Sequence, residues 1–303
     1  MLCLFAKPVL RVQATQQIDT AQARIEKAKQ EMAIGNYETA INELKSAEFL
    51  DKRLPEAKLM LAILHRKVFR RTEAMQYVDA AIKLQTVYPD AHYIKALLLA
   101  EDGRLKESYE EVKTVLSQGG QSARVCSLMG DLELALYKPK TILPTFPSDQ
   151  EKDALAKEKQ PFFEGTIIPL YQKGLELKDG DDDIIAELFD KIEALRFENE
   201  LTESKSSEQW TRLQILTTPR PNYTREASDK DVQGVVMLQA LFRSNGQISS
   251  IIVIQGLPFG LNEQALKSAS GITFQPVTRS GKPISTFQKL KVSFSLIGGI
   301  HKK

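Results

Sequence analysis

Cysteine is nearly missing from this sequence. The 303 residues include only Cys3 and Cys126, too few for a disulfide framework or a cysteine-based metal site. Long apolar runs are missing as well, since no stretch of about 18 apolar residues occurs. These absences exclude a disulfide-stabilised miniprotein and predict that this sequence holds no complete membrane span.

Residue patterns that support catalysis are also missing. The three histidines are His65, His92 and His301, and none has a metal-ligand partner three or four residues away on its helix. No nucleophile elbow, phosphate-binding loop or dinucleotide-binding glycine pattern occurs. We therefore expect a protein that is not an enzyme and that uses no metal or cofactor. His65 and His92 are interpreted as groove-lining or partly buried structural residues.

The N-terminal residues allow two interpretations. Residues 1–6 are apolar, and residues 12–14 have the spacing of a signal-peptidase site. A complete signal peptide also needs a basic start and a longer apolar core. Residues 1–18 are thus predicted to be either the remnant of a signal peptide that starts upstream or a frayed N-terminal tail.

Charge is unevenly distributed along the chain, although the formal net charge is only +2. From Pro219 to the end there are 11 Lys and Arg against 4 Asp and Glu, whereas the remainder holds 30 against 35. This change of sign suggests two separate bodies. The basic part lacks a dense Arg/Lys stripe with interleaved aromatic residues, so nucleic acid is not the expected partner.

A repeat with a period of 34 residues runs through the first half of the chain. Small residues recur where two helices would cross closely, at Ala28, Ala62, Ala96 and Gly130. Other positions in the same register are Gly35, Phe69 and Gly103; Ala40, Ala74 and Ser108; Leu44, Val78 and Val112; and Ala47, Ala81 and Val115. Pro55 and Pro89 suit the first turn of a helix. This pattern is typical of tetratricopeptide repeats, in which each unit is a helix–turn–helix.

The helical region is predicted to span residues 19–198. A fourth repeat supplies one helix, Ala123 to about Leu136, and an irregular insertion rich in proline follows at about 137–162. Helical spacing then resumes with Gly174 at a small position. The last helix carries an apolar stripe that caps the repeats, formed by Ile184, Ile185, Leu188, Phe189, Ile192 and Leu195.

An acidic run precedes that last helix. Residues 179–183 place carboxylates at alternate positions, as a calcium-binding loop does. A calcium loop also needs glycine at its sixth position, which here is Ile184. We therefore interpret the run as a turn and an acidic helix N-terminus.

A different pattern begins after a polar segment at 199–217, which is predicted to be a linker that Trp210 attaches to one domain. A β-rich run covers residues 235–242, Asn245-Gly246 signals a hairpin, and a second strand covers residues 248–254. Asn262 can cap a short helix. In the last strand Leu290, Val292, Phe294 and Leu296 alternate with polar residues, as expected for a half-buried strand.

The segment 218–298 resembles the C-terminal domain of TonB. The resemblance is carried by the order and spacing of several short motifs, which are Pro221-x-Tyr223 with Ala227, Gly234-Val235-Val236, Asn245-Gly246-Gln247-Ile248, Gly260-Leu261-Asn262 with Ala265-Leu266, Phe274-x-Pro276, Gly281-Lys282-Pro283-Ile284 and Val292-x-Phe294. The expected fold class is α+β, with an N-terminal all-α tetratricopeptide-type solenoid followed by a small ββαβ TonB-like domain.

The resemblance implies a periplasmic or cell-envelope protein that pairs its last strand with a short receptor segment. Three functions follow: an adaptor whose repeats and TonB-like domain bind different protein partners, a TonB-type energy transducer for outer-membrane transport whose membrane anchor is missing from this chain, or a structural domain packed on the repeats. An outer-membrane receptor segment is the expected partner in the first two.

Two sets of partner-binding residues are predicted. The TonB-like edge-strand set comprises Lys289, Leu290, Lys291, Val292, Ser293, Phe294 and Tyr223. The repeats should stack into a right-handed superhelix with a concave groove. The groove set comprises Lys29, Leu59, Ile63, Arg66, Tyr93 and Leu97. The apolar members of this second set could equally be ordinary core.

Overall fold

The computed structural model describes residues 21–141, 144, 148–203 and 209–296. The predicted tail at residues 1–18, Cys3 and His301 lie outside the described residues. The chain divides into two compact units, one ending at Leu98 and the other starting at Leu99. This division differs from the predicted boundary at 199–217, because the last helices belong to the same unit as the β-strands.

Ten α-helices precede the strands in the described part of the chain. They are α1 (residues 21–33), α2 (Tyr37–Leu50), α3 (Pro55–Lys67), α4 (Arg71–Leu84), α5 (Pro89–Glu101), α6 (Leu105–Ser117), α7 (Ala123–Leu136), α8 (Asp149–Phe162), α9 (Ile168–Leu177) and α10 (Asp182–Glu203). Pro55 and Pro89 open α3 and α5, as predicted. The predicted bounds of α7 are confirmed.

The 34-residue period reappears in the turns between helices. Gly35, Phe69 and Gly103 all have positive φ, at 80°, 59° and 78°. The same two backbone hydrogen bonds close each turn. In the first turn, the N–H of Gly35 donates to the Met32 carbonyl and the N–H of Asn36 donates to the Glu31 carbonyl. The equivalent bonds run from Phe69 to Arg66 and from Arg70 to His65 in the second turn, and from Gly103 to Ala100 and from Arg104 to Leu99 in the third. This is the glycine-type helix C-cap, and Phe69 adopts it despite its side chain.

Buried aliphatic residues form the core of the first unit. One cluster includes Ala28, Ala40, Leu44 and Leu61, all fully buried. A second cluster is built around Ala62, Ala74 and Val78. The small residues of the repeat are therefore buried at helix crossings, where a larger side chain would clash.

In the second unit, α8 fills the predicted insertion. Its Ser148 and Glu151 form a reciprocal capping box. Pro161 lies inside α8, and a π-helical segment, Phe163–Ile167, connects α8 to α9. A Cβ built at Gly130 on α7 would lie 2.3 Å from the Tyr171 ring on α9. The predicted small positions thus mark the α7–α9 crossing.

The β-strands are arranged in three small sheets. The strands are β1 (Gln214–Thr217), β2 (Gly234–Phe242), β3 (Ile248–Gln255), β4 (Thr273–Gln275), β5 (Val277–Arg279), β6 (Lys282–Ile284) and β7 (Thr286–Phe294). The central sheet has the order β3-β2-β7, and β1-β4 and β5-β6 form two-stranded sheets. Two helices, α11 (Arg225–Asp229) and α12 (Leu261–Ser270), accompany them. The fold is therefore α+β, as predicted.

The segment predicted to be a linker contains regular structure. Helix α10 continues to Glu203, and β1 lies within the segment. Trp210 packs on Phe197 of α10, with ring centroids 4.8 Å apart, and the Arg279 guanidinium lies over its ring. The Trp210 side chain therefore attaches this segment to both α10 and β5.

None of the helices among the described residues is both long enough and apolar enough to cross a bilayer.

Candidate functional site

Strand β7 forms one edge of the central sheet. It pairs with β2 in nine consecutive antiparallel pairs, from Gly234 with Phe294 to Phe242 with Thr286, without a register shift. The opposite edge strand, β3, pairs with β2 through two register shifts, and Ser250 within it has φ 49°. Bulges of this kind interrupt an edge. The β7 edge is therefore the more regular of the two.

The outward direction of the β7 backbone follows from two hydrogen bonds. The Arg243 N–H donates to the Gln247 carbonyl in the β2–β3 hairpin. Successive residues of a strand point their backbone groups to opposite sides, so Phe242 and every second residue before it point toward β7. At the other end, the Leu296 N–H donates to the Gln233 side chain, next to β2.

Both hydrogen bonds give the same assignment. The residues of β7 that bond to β2 are the even-numbered ones, including Leu290 and Val292. The backbone N–H and C=O groups of Lys289, Lys291 and Ser293 point away from β2, and the side chains of these three residues are exposed. An extended segment could therefore add to β7 along this side.

Buried side chains hold β7 from within its own domain. Val292 and Phe294 are buried and Leu290 is half-buried. The Tyr223 ring meets Phe294 edge-on, with centroids 5.6 Å apart, and its hydroxyl donates to the Val232 carbonyl at 2.6 Å. Tyr223, Val292 and Phe294 thus support the strand, while the exposed residues of the predicted set are Lys289, Lys291 and Ser293.

Helix α10 holds the tip of the β2–β3 hairpin. The Arg243 side chain is 3% exposed, and it donates to Asp190 at 2.7 Å and to Asp183 at 2.8 Å. Ser285, just before β7, donates its hydroxyl to Asp190 at 2.6 Å. Burial alone would lower the pKa of Arg243, but the hydrogen bonds to Asp183 and Asp190 raise it. The guanidinium therefore stays charged and fixes the sheet to α10.

A second cluster of charged side chains is formed by Lys191 and Glu187 of α10 with Asp131 of α7. The Lys191 ammonium is fully buried and donates to Asp131 at 2.7 Å, to Glu187 at 2.9 Å and to the Ser127 hydroxyl at 2.6 Å. Burial raises the pKa of Asp131. Burial acts in the same direction on Glu187, but Lys191 outweighs it and lowers the pKa of Glu187 to about 2. Glu187 also accepts a hydrogen bond from Ser250 of β3.

The acidic run before α10 has structural contacts. The Asp179 carboxylate accepts from the Ala123 backbone N–H at 2.9 Å, at the start of α7. The Asp181 carboxylate accepts from the Ile184 N–H at 3.0 Å and pairs with Arg124. Among the described residues, no group of histidine, cysteine and carboxylate side chains is arranged to hold a metal ion. The preferred interpretation as a helix N-terminus agrees with these contacts.

The predicted groove residues lie in the first unit. Leu59 is 7% exposed and belongs to a hydrophobic cluster against which Ile63, Tyr93 and Leu97 pack. Lys29 is ion-paired with Glu26 at 2.8 Å and with Glu56 at 2.9 Å. Arg66 is half-buried. The structure thus brings the four apolar members together, and Leu59 is part of the core.

Sequence reasoning missed the contacts that attach the sheet to α10. Arg243 and Asp190 are 53 positions apart, and neither stands in a recognisable motif. Phe189, which the apolar stripe placed on the buried face of α10, is 61% exposed.

Residues 219–296 match the family model described as Gram-negative bacterial TonB protein C-terminal. The match covers about a quarter of the chain and confirms the resemblance. The comparison with curated proteins finds no significant match.

Several solved structures are similar to the chain. The first TPR of Spaghetti (RPAP3) bound to HSP90 peptide SRMEEVD is 18% identical, with 39% of this chain and 94% of that chain covered and a TM-score of 0.38. The Yersinia enterocolitica type III secretion chaperone SycD, in complex with a peptide of the translocator YopD, is 18% identical, with coverage of 38% and 94% and a TM-score of 0.36.

MamA 41-end from Desulfovibrio magneticus RS-1 is 17% identical, with 61% of this chain and 90% of that chain covered and a TM-score of 0.40. Because these identities and TM-scores are low, we assign the helical hairpins to the tetratricopeptide type from this chain's own 34-residue period and its repeated turn hydrogen bonds. Residues 219–296 are therefore a domain of the TonB C-terminal type, preceded by helical hairpins of the tetratricopeptide type.

Proposed function

We propose that this protein is a non-enzymatic adaptor of the Gram-negative cell envelope. In this proposal the helical repeats bind one protein partner. The TonB-like domain binds a second partner, an outer-membrane receptor segment, by adding it as a strand to β7. The periplasm or envelope is the proposed location because the matching family is that of a Gram-negative envelope protein.

The observation that supports strand addition is the regular β7 edge. Three alternate residues, Lys289, Lys291 and Ser293, direct their backbone groups away from β2, and each N–H and C=O there can pair with an extended chain. The two lysines also indicate which side chains the partner segment should carry, since cross-strand neighbours of opposite charge stabilise a sheet. We therefore expect an extended segment with acidic residues at alternate positions.

The test uses the full chain and a proline substitution. Ser293→Pro removes one outward N–H and leaves the β2–β7 hydrogen bonds in place, because proline is tolerated where the N–H faces away from the ladder. Capture of a receptor from outer-membrane extract should be abolished by Ser293→Pro and unchanged by Ser293→Ala. Retained capture by a folded Ser293→Pro protein would rule strand addition out.

A matched substitution checks the backbone assignment itself. Val292→Pro would remove an N–H that bonds to β2 and leave its β2 acceptor unpaired, so it should destabilise the sheet by about 1–3 kcal/mol. If Val292→Pro folds as well as Ser293→Pro, the assignment of outward residues is wrong.

A second candidate function is a purely structural one, in which the TonB-like domain serves as a cap for the helices. The docking of Arg243 on Asp190 and Asp183 favours it, because that contact fixes the sheet to α10. The two candidates differ in their response to Ser293→Pro. A cap without a partner predicts the same set of captured proteins for the wild-type and Ser293→Pro chains.

A further inference from the structure

A cleft borders the start of β7 in the second unit. Its volume is about 560 Å³, which is within the usual range for ligand pockets. Thr286, Phe287 and Gln288 of β7 line it, and they directly precede the exposed Lys289. The cleft therefore lies at one end of the edge to which the partner segment of the proposed function would add.

The free backbone edge of β7 continues as far as this cleft. Phe287 stands opposite Leu241 in the ladder and is one of the odd-numbered residues of β7, whose backbone groups point away from β2. Within the described ranges, the N–H and C=O groups of Phe287 form no hydrogen bond. An extended segment paired with Lys291 and Lys289 reaches Phe287 two residues further on.

The interior of the cleft is aromatic and aliphatic. Helix α10 contributes Ala194 and Phe197, and the segment before β1 contributes Trp210 and Leu213. Trp210 and Leu213 pack against a hydrophobic cluster that includes Phe197 and Val277. Most of the lining residues precede residue 219, where the family match begins. The cleft is thus built by the junction of α10 with β1 and is not supplied by the TonB-like domain alone.

The polar groups of the lining already have partners or face water. Gln288 donates to the Thr286 hydroxyl at 3.2 Å. The Glu198 carboxylate pairs with Lys159 at 2.5 Å, and the Arg212 side chain is exposed. A charged or polar side chain that entered the cleft would lose its water without gaining a new partner, which is unfavourable. The lining therefore selects an apolar side chain.

Side-chain direction identifies the residue of the segment that enters. Residues directly opposite each other in neighbouring antiparallel strands place their side chains on the same face. Phe287 packs against a hydrophobic cluster that includes Ile192 and Leu195 of α10, so its face is the one that α10 covers. A side chain opposite Phe287 thus points toward α10, whose Ala194 and Phe197 line the cleft.

We propose that this cleft holds an aromatic side chain of the segment that adds to β7. The inference rests on the proposed function and identifies the residue that fixes the register of the segment. Phe197, Trp210 and Phe287 offer three rings to it, and ring pairs stabilise a contact beyond the burial of area alone. Antiparallel pairing is the more stable arrangement, and it places acidic residues opposite Lys291 and Lys289 before the aromatic residue. The recognised motif is therefore acidic-x-acidic-x-aromatic.

The test uses the full chain and a synthetic octapeptide with blocked ends. The peptide is all threonine except for glutamate at its third and fifth positions and phenylalanine at its seventh, which stand opposite Lys291, Lys289 and Phe287. Trp210 is the only tryptophan of the sequence, so its fluorescence reports occupation of the cleft, while calorimetry measures the affinity. We expect saturable binding with a change in the Trp210 emission.

Three further peptides isolate the aromatic residue. Threonine in place of phenylalanine should weaken binding about tenfold or more and leave the Trp210 emission unchanged, because the burial of the ring is lost. Leucine should bind about threefold more weakly than phenylalanine, because it makes no ring contacts. Exchange of the sixth and seventh residues keeps the composition and turns the ring to the opposite face. That peptide should bind as weakly as the threonine peptide.

Two matched variants test the lining. Leu213→Ala should weaken binding of the phenylalanine peptide about three- to tenfold and leave the affinity of the threonine peptide unchanged, because only the ring contacts Leu213. Leu216→Ala is the control, since Leu216 is 52% exposed and does not line the cleft, and it should bind both peptides as the wild type does. Ser293→Pro should abolish the binding of both peptides.

The outcomes separate this inference from strand addition. Equal affinities of the phenylalanine and threonine peptides, both lost in Ser293→Pro, would retain strand addition and overturn the aromatic site. Undiminished binding of the phenylalanine peptide to a folded Ser293→Pro protein would overturn both, as would the absence of binding by every peptide. Full affinity of the exchanged peptide would contradict the register, and a leucine peptide that binds as tightly as the phenylalanine peptide would contradict the aromatic assignment.

Discussion

The Arg243 guanidinium donates to the Asp190 carboxylate at 2.7 Å, and this bond joins the end of β2 to the middle of α10. Both side chains are largely withdrawn from water, with 3% and 15% of their side-chain areas exposed. Removal of one partner leaves the other charge buried and unpaired, which costs far more than the loss of a surface pair. The sheet and α10 should therefore lose structure together.

The first prediction concerns this ion pair. Arg243→Ala should lower the free energy of unfolding by about 3 kcal/mol, because Asp190 stays buried without its cation. Asp183 is the second partner of Arg243, and the Asp183 side chain is 77% exposed. Asp183→Ala should therefore lower the free energy of unfolding by less than about 1 kcal/mol. Chemical denaturation of both variants gives the comparison, and equal losses would show that the buried pair does not hold the sheet to α10.

The second prediction tests the register of the repeats. Ala62 is fully buried within the cluster that includes Ala74 and Val78. Ala62→Leu should destabilise the first unit by about 1–3 kcal/mol, because the helix crossing has no room for the larger side chain. Thermal melting followed by circular dichroism measures the effect, and an unchanged melting temperature would contradict the assignment of Ala62 to a crossing position.

The third prediction compares two glycines in equivalent turns. Gly35 and Gly103 have φ values of 80° and 78°, so alanine at either position is strained by about 1 kcal/mol. A Cβ at Gly35 would meet nothing within 4 Å, whereas one at Gly103 would lie 3.1 Å from Val253 Cγ1 of β3. Gly103→Ala should therefore destabilise the protein more than Gly35→Ala, by about a further 1 kcal/mol. Similar losses in urea denaturation would mean that β3 yields to the added methyl group.

The fourth prediction concerns pH. The Tyr109 hydroxyl donates to Glu133 at 2.8 Å, and this hydrogen bond, together with burial, raises the pKa of Tyr109 from 10.0 to about 12. The folded state thus holds this proton more tightly than the unfolded state. The stabilisation is fully present below pH 10 and is lost as the pH rises from about 10 to about 12.

The measurement for Tyr109 is an ultraviolet titration of tyrosine ionisation, with Tyr109→Phe used to assign the signal. Glu133→Gln should lower the pKa of Tyr109 toward 10, because the charge that disfavours the phenolate is gone. An unchanged titration in Glu133→Gln would show that another group controls Tyr109.

Much of the fold was predictable because the repeat is local. The small residue Ala62 and the turn residues Gly35 and Gly103 recur at a fixed spacing, and each reflects a constraint between helices that follow one another in the sequence. Helix α7 was placed correctly for this reason. The alternation of apolar and polar residues in β7 could also be recognised in the sequence, because one face of that strand is buried and the other is exposed to solvent.

The parts that could not be predicted depend on side chains that meet across long stretches of chain. No motif around Arg243 predicts its contact with Asp190, and none around His65 predicts that its ring nitrogens have no hydrogen-bond partner among the described residues. Strand β1 was missed because all four of its residues are exposed, so its sequence carries no alternation between buried and exposed positions. Phe189 was misplaced because an apolar residue at helical spacing does not distinguish a buried position from an exposed one.

The continuous pairing of β2 with β7 has a mechanical consequence. A segment bound along β7 and pulled lengthwise would load the nine β2–β7 pairs in shear, so that their hydrogen bonds share the force. The same segment pulled sideways would open them one after another, at a much lower force. Because the tip of β2 ends at Arg243, tension along the strand reaches α10 through a charged contact. The domain should therefore resist force strongly in one direction and yield in the other.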